Sequence, residues 1–243
     1  MKALLSYFTV LPFSGASLEE TAREAHLLPL VGIFTGLPGA VLIVLASAFP
    51  PGVSVTLALG AVLLAAGLHH ADGVLDVGDA VMVRGNPARR RQVLADTRVG
   101  IGGIGALFVV YAPTLAALAA LAAASPGRAA FALLAAEVSA RSAMLLMLAF
   151  GEPADRGSSA VPFVRALKGP RRSVGLVLAL TVPLGFLLPL GGFAMLGGLA
   201  APMVALFALR VARAAFGGIG GDAAGAAGEV CRGVVLVFLS ATL

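Results

Sequence analysis

Charge is scarce in this chain. Only 12% of its 243 residues are charged, whereas a soluble domain carries about 25%. Cysteine occurs once, at Cys231, which excludes an internal disulfide and a cysteine-based metal cluster. Tryptophan is absent and tyrosine occurs twice, so any aromatic belt at a membrane interface is weak. What fills the chain instead is apolar sequence, because 59% of its residues are hydrophobic.

The apolar residues are gathered into segments long enough to cross a hydrocarbon core roughly 30 Å thick. We predict an all-α, polytopic membrane helical bundle with about seven transmembrane helices, forming a single membrane-embedded domain over residues 1–243. Residues 1–26 are mixed in character and are expected to form an interfacial or re-entrant segment. The candidate spans are about 27–49, 53–70, 101–124, 129–150, 173–190, 193–209 and 228–243.

Basic residues are distributed unevenly between the connections. The long connections 71–100, 151–172 and 210–227 carry most arginines and lysines, while the short turns hold only Arg128. By the positive-inside rule, the long connections and an active site among them face the cytoplasm of a multi-pass plasma-membrane protein. The basic excess therefore indicates orientation in the lipid bilayer, and we expect no nucleic-acid partner. Whether the chain forms a homo-oligomer stays open.

Three aspartates follow the second apolar segment at helical spacing. Asp72, Asp76 and Asp79 are placed i, i+4, i+7, so on a helix they lie within an arc of roughly 60°. Carboxylates this close repel one another unless a cation lies between them. Oxygen ligands suit Mg²⁺, Mn²⁺ or Ca²⁺. The alternative is a solvated loop whose carboxylates pair with nearby arginines.

The segment that follows offers groups suited to phosphate. Asp96 can complete a metal site, and Arg98 presents a planar fork to a phosphate. The amides of Gly100 and Gly103 can approach a phosphate where the next helix begins, although close helix packing explains these glycines equally well. Arg84 can attract a polyanionic substrate, or simply anchor the loop at the membrane surface.

Further candidates lie in the second half of the chain. Glu137 and Arg141, at i, i+4 in an apolar segment, form a buried pair or turn Arg141 towards an active cavity. Asp222 and Glu229 are seven residues apart, hence on one helical face, and we favour a functional role for both over pure packing. The polar connection 152–172 is expected to cover a phosphate or nucleotide as a lid, through Asp155, Arg156, Ser158, Ser159 and Lys168.

Three motifs, in order, carry a family resemblance. They are H-A-D-G-V-L-D-V-G-D (70–79), D-T-R-V-G-I-G-G (96–103) and G-I-G-G-D-A-A-G-A-A-G-E (218–229). The sequence resembles the cobalamin synthase, or adenosylcobinamide-GDP ribazoletransferase, family. The resemblance implies an enzyme that transfers the adenosylcobinamide-phosphoryl group from adenosylcobinamide-GDP to α-ribazole or its 5′-phosphate, releasing GMP.

The resemblance also implies roles for these residues. Asp72, Asp76, Asp79 and Asp96 hold Mg²⁺ on the diphosphate, and Arg98 neutralises charge on the leaving GMP. Asp222 or Glu229 orients or deprotonates the attacking hydroxyl. Two alternatives remain at this point: a membrane phosphotransferase of the CDP-alcohol type, whose D-G-x-x-A-R element is missing here, and a cation-coupled transporter.

Overall fold

The computed structural model describes residues 1–13 and 15–242. Within these ranges the chain is helical and has no strand longer than an isolated bridge between Pro153 and Ile219. The helices are α1 (Lys2–Phe8), α2 (Leu18–Arg23), α3 (Leu28–Leu45), α4 (Pro51–Ala65), α5 (His69–Met82), α6 (Pro87–Leu94), α7 (Ile101–Ala124), α8 (Pro126–Phe150), α9 (Val161–Ala166), α10 (Gly169–Leu187), α11 (Ala200–Phe216) and α12 (Gly221–Ser240). Short 3-10 helices cover Ala25–Leu27, Leu188–Leu190 and Phe193–Leu199.

The prediction of a multi-pass helical bundle is confirmed. Six helical stretches are long and apolar enough to cross a membrane, and the number rises to seven if α4 and α5 are counted together as one bent span. The bend between α4 and α5 is 92°. It is made by Gly67 (φ +67°) and Leu68 (φ +62°), both in the left-handed region of the backbone.

Helix α8 is the centre of the bundle, with 89% of its most apolar window buried. Small residues let its neighbours approach closely. A Cβ atom added at Gly32 of α3 would lie 2.6 Å from the backbone oxygen of Glu137 on α8. The N-terminus of α8 is capped by Ser125, whose hydroxyl accepts a hydrogen bond from the Arg128 amide at 3.3 Å.

The structure corrects two boundaries predicted from hydropathy. Helix α11 continues to Phe216 and α12 begins at Gly221, so the expected connection 210–227 shrinks to a short turn. Residues 221–228 are mostly glycine and alanine, which lower the hydropathy of the window but pack well against α5 and α8. The connection 71–100 contains α5 and α6, and the helix predicted from the spacing of Asp72, Asp76 and Asp79 is confirmed as α5.

The two ends of the bundle are formed by different parts of the chain. At one end, the guanidinium of Arg128 donates to the backbone oxygen of Leu190 and to the hydroxyl of Thr242, both at 3.3 Å, which joins two short turns to the chain's last described residues. At the other end lie α1, α2, α5, α6 and α9. The N-terminal segment joins this second end, where the Val10 amide donates to the Ala65 oxygen at 2.9 Å.

Candidate active site

Helix α5 lies against both α7 and α12 because glycines line its contacts. A Cβ atom at Gly73 would lie 2.7 Å from the backbone oxygen of Asp222, and one at Gly78 would lie 2.9 Å from that of Gly102. Since no side chain separates the backbones there, α5 brings its aspartates to the N-terminal ends of both neighbours. The aspartate motif and the late glycine-rich motif therefore meet in space.

A cavity of about 430 Å³ opens beside this junction. Five elements contribute to its wall: α1, α5, α8, α12, and α9 with the segment leading into it. Apolar and aromatic side chains cover much of it, while carboxylates, imidazoles and hydroxyls form the remainder. The aromatic, titratable and hydroxyl side chains of this wall include Tyr7, Phe8, His69, His70, Asp72, Ser159, Phe163 and Asp222.

Three carboxylates stand together at this cavity. Asp72 and Asp222 line it, and Asp76, one helical turn further along α5, is close enough to feel the charge of both. Among the described residues none of the three forms a salt bridge. The site is thus a group of carboxylates without a counter-charge from the described part of the protein, and a cation bound there would relieve their mutual repulsion.

Asp79, predicted to bind the metal with Asp72, Asp76 and Asp96, is hydrogen-bonded to α7. Its carboxylate accepts hydrogen bonds from the amides of Gly100 (2.7 Å) and Gly103 (2.8 Å) at the start of α7. It therefore caps the N-terminus of α7 from another helix. This corrects the expectation that the two amides face a phosphate. The alternative of close helix packing is what the structure shows, since a Cβ at Gly103 would lie 2.8 Å from the Leu75 oxygen.

Asp96 and Arg98 pair with each other. The Arg98 guanidinium lies 2.8 Å from the Asp96 carboxylate, and the arginine side chain is 87% exposed. Hydrogen bonds from Arg98 lower the pKa of Asp96 to about 2. Neither residue lines the cavity. Arg84 and Lys168 are also exposed and away from the cavity wall, so the structure does not gather these four residues around Asp72.

Asp72 and Asp76 fit a divalent cation that is shared with a substrate. The described part of the chain holds no group of three or more His, Cys, Asp or Glu side chains arranged as a ready metal site. Mg²⁺, however, is commonly held by one or two carboxylates together with substrate phosphates. Asp72 and Asp76 supply two carboxylates of this kind, free of protein cations, whereas Asp79 and Asp96 are committed elsewhere.

Glu229 belongs to a different part of the molecule. Although α12 carries both acids, Glu229 is buried and ion-paired with Arg232, and the Tyr111 hydroxyl donates to it at 2.7 Å. Arg232 also pairs with Glu137. Glu229 does not line the cavity, so its predicted contact with the substrate is not what the structure shows.

The predicted Glu137–Arg141 pair is present and fully buried, with 3.7 Å between Arg141 Nη2 and Glu137 Oε2. Arg141 does not enter the cavity, but its Nη1 lies 2.7 Å from Nδ1 of His70, which does. Because a guanidinium only donates, Nδ1 of His70 must accept, and the ring is assigned the tautomer with hydrogen on Nε2. The buried charges thus orient one residue of the cavity wall.

The expected lid, residues 152–172, is fastened to the start of α12. The Ile219 amide donates to the Glu152 oxygen at 2.8 Å, and the Ala154 amide to the Ile219 oxygen at 3.0 Å. Ser158 donates to the Ile219 oxygen at 3.1 Å. The Ser159 hydroxyl accepts from the Gly221 amide at 3.2 Å and lines the cavity. Asp155 is 3.6 Å from Arg91, and Arg156 lies on a separate surface groove.

Reasoning from the sequence missed four residues. Tyr7 and Phe8 lie in a short helix whose apolar run was too brief to identify, and Phe163 sits in a connection considered only for its polar residues. Arg232 was absorbed into the last apolar segment. The one available signal was an arginine within a predicted span, which is costly there unless paired.

Comparison with known proteins agrees with this geometry. The profile of a family described as cobalamin-5-phosphate synthase matches residues 1–240. The chain belongs to that family. The family resemblance noted in the motifs is confirmed, and the chain is accordingly a transferase of cobalamin biosynthesis. Family membership does not support the two alternatives, the CDP-alcohol phosphotransferase and the transporter.

Several individual relatives in the family match the whole chain at about 30% identity, and others match about half of it at higher identity. A protein of Methanosarcina barkeri named adenosylcobinamide-GDP ribazoletransferase is 30% identical over 100% of this chain and 91% of its own length. One of Pyrococcus abyssi with the same name is 31% identical over 100% of this chain and 98% of its own. A Saccharolobus islandicus protein, again so named, is 40% identical over 48% of this chain. No solved structure matches the chain.

Proposed function

We propose that this membrane transferase uses Mg²⁺ to move the adenosylcobinamide-phosphoryl group from adenosylcobinamide-GDP to α-ribazole or its 5′-phosphate, releasing GMP. The observation that carries the proposal is that Asp72 and Asp222 line one cavity, with Asp76 close behind them and no salt bridge to any of the three among the described residues. The names of the relatives supply the two substrates. The family description, cobalamin-5-phosphate synthase, supports including the 5′-phosphate as one of the two acceptor forms.

The assigned roles follow from position. Asp72 and Asp76 would hold Mg²⁺ jointly with the diphosphate of the donor, where the ion would neutralise phosphate charge. Asp222 lies across the cavity mouth on α12, and there it accepts the proton of the acceptor hydroxyl. The hydroxyl oxygen forms a bond to the cobinamide-side phosphorus, and the bond from that phosphorus to GMP breaks. His70, held by Arg141, presents its Nε2 hydrogen as a donor.

The metal is tested with purified protein in detergent. GMP release is measured with both substrates, after chelation and after adding Mg²⁺ back. We expect no turnover in chelator and recovery with Mg²⁺. Asp76→Asn should lose most activity at saturating Mg²⁺ while melting at the wild-type temperature. Near-normal turnover of Asp76→Asn, or full activity in chelator, would contradict the Mg²⁺ assignment without touching the family assignment.

We further propose that the cavity end faces the cytoplasm, because the long basic connections lie there. Ala88→Cys, between α5 and α7, should react with an impermeant thiol reagent only after the cells are opened. Ser47→Cys, in the connection between α3 and α4, is the matched position for the other end and should react in intact cells. The native Cys231 is buried and stays silent. The reverse pattern would invert the orientation.

A further inference from the structure

Two cavities meet at the start of α12. The first is the cavity of about 430 Å³ described above, and the second, of about 270 Å³, lies on the side of α6. Their walls share Ser159, Gly221 and Asp222. Asp222 therefore stands between two separate spaces, each of which can receive part of a substrate.

The first cavity has an aromatic wall that the proposed chemistry has not used. The rings of Tyr7 and Phe8 lie 4.9 Å apart, edge to face, and Phe163 is 6.0 Å from Tyr7 and 6.1 Å from Phe8. The His70 imidazole stacks on Phe8 at 5.9 Å. Phe8 and Phe163 are buried, while Tyr7 is 43% exposed and forms the accessible edge. Flat rings brought together from three elements make a surface suited to another flat ring.

The charges of the two cavities differ. Among the described residues, no lysine or arginine lines the aromatic cavity, which contains Asp72 and Asp222. The second cavity is lined by Arg91, which lies 3.6 Å from Asp155 of the same wall, and by Asp222. The uncharged rings of the aromatic wall favour a group with little charge against them, and Arg91 is the one cation in the described lining of either cavity. The negative charge of Asp222 adds to the effect of burial in raising the pKa of Tyr7, so its phenol stays neutral and able to donate a hydrogen bond.

We propose that the aromatic wall formed by Tyr7, Phe8 and Phe163 binds the heterocyclic base of the acceptor nucleoside, directing its ribose hydroxyl at Asp222. This inference rests on the proposed function and names a subsite within it. Phosphoryl transfer places the attacking and leaving oxygens on opposite sides of phosphorus. With the acceptor base on the aromatic side of Asp222, anionic GMP leaves towards the side that holds Arg91.

The test separates binding of the acceptor from binding of the donor. Stacking of a base on an aromatic side chain is worth about 1–3 kcal/mol when the ring is removed, or roughly 5- to 150-fold in affinity. We therefore expect Tyr7→Ala and Phe163→Leu each to raise the KM for acceptor by about 10-fold, with the KM for adenosylcobinamide-GDP unchanged. Tyr7→Phe, which keeps the ring, should stay within about 3-fold of wild type.

The matched control is a second aromatic pair far from the cavity. Phe193 stacks with Phe238 at 5.6 Å near the opposite end of the bundle, and Phe193→Ala should change neither KM. Calorimetric titration with α-ribazole alone gives a readout independent of turnover, and affinity should fall in Tyr7→Ala and not in Phe193→Ala. The titration is repeated with the 5′-phosphate as the second form of the acceptor.

Two results would overturn the subsite. In the first, the Tyr7→Ala and Phe163→Leu proteins are both active and their KM for the acceptor is unchanged. In the second, only the KM for the donor rises, which would place guanine on the aromatic wall. Either outcome leaves the proposed transfer reaction standing. Absence of GMP release from the wild-type protein with both acceptor forms would instead refute the proposed function, while titration with α-ribazole would still report on the wall.

Discussion

Asp222 and Glu229 lie two turns apart on the same helix, but they differ in exposure and in their charged partners. Asp222 is exposed at the mouth of a cavity and has no cationic partner among the described residues. Glu229 is 1% exposed, and its carboxylate meets Arg232 at 2.9 Å and the hydroxyl of Tyr111 at 2.7 Å. An acid that lacks a counter-charge is available to a ligand, whereas an acid that is neutralised and buried serves the fold.

The buried region is balanced throughout. Two glutamates, Glu137 and Glu229, face two arginines, Arg141 and Arg232, and the Thr35 hydroxyl donates to Glu137 at 2.8 Å. This network joins α3, α8 and α12. Its hydrogen bonds and ion pairs are directional, whereas apolar contacts are not. Removing one member leaves a charge uncompensated in the interior, and that is far more costly than removing a matched pair.

The largest expected effect concerns the exposed acid. Asp222→Asn should slow transfer by about 10²–10⁴-fold, the usual range for a lost general base, with donor affinity and melting temperature close to wild type. Single-turnover rates, donor titration and thermal unfolding in detergent measure these three quantities. Glu19→Gln, an exposed acid at the same end of the bundle, is the control and should be active. Normal turnover by the Asp222→Asn protein would contradict a catalytic role for Asp222, and with it the contrast to the structural role of Glu229.

Next in size is the buried acid. Glu229→Ala leaves Arg232 with only part of its counter-charge, and we expect a loss of about 3–5 kcal/mol in the free energy of unfolding. The double variant Glu229→Ala with Arg232→Met leaves the balanced pair Glu137–Arg141 and should recover part of that loss. Thermal unfolding of both variants gives the comparison. A double variant less stable than the single one would show that charge balance is not what holds this region together.

A smaller effect is expected where α5 meets its neighbours. Gly73→Ala would place a Cβ atom 2.7 Å from a backbone oxygen, and overpacking of this kind costs about 1–3 kcal/mol. It should also lower activity, because α5 carries Asp72 and Asp76. Gly105→Ala on α7 is the matched control, since nothing lies within 4 Å of its added Cβ, and it should be neutral or up to about 1 kcal/mol stabilising. Equal effects of the two substitutions would count against close packing at Gly73.

The smallest expected effect on stability tests whether Asp79 caps α7 or binds the metal. If Asp79 caps α7, Asp79→Ala should cost about 0.5–2 kcal/mol of stability, whereas Asp79→Asn, which keeps an acceptor oxygen, should cost less. Neither should alter the Mg²⁺ concentration required for half-maximal activity, in contrast to Asp76→Asn. A raised Mg²⁺ requirement in Asp79→Asn would return Asp79 to the metal-binding residues.

The outline of this protein could be predicted from local sequence. Apolar run length indicates the spanning helices, and the i, i+4, i+7 spacing places Asp72, Asp76 and Asp79 on one side of α5, because both depend only on helix geometry. Glu137 and Arg141 form a pair for the same reason. The start of α12 escaped this reasoning, since its Gly–Ala sequence has low hydropathy although it packs in the bundle.

Which charges meet across helices was decided only by the tertiary structure. Spacing alone made Asp222 and Glu229 equivalent, and it made Asp79 equivalent to Asp76. Packing of α5 between α7 and α12 turned Asp79 to the amides of α7 and brought Asp222 beside Asp72. Glu229 was enclosed by Tyr111 of α7, and its helical neighbour Arg232 was paired with Glu137 of α8. The physical reason is that a helical repeat determines which residues share a face, while the partner of that face depends on how separate helices pack. The separation is 21 residues for Asp79 and Gly100, and it exceeds one hundred for Tyr111 and Glu229.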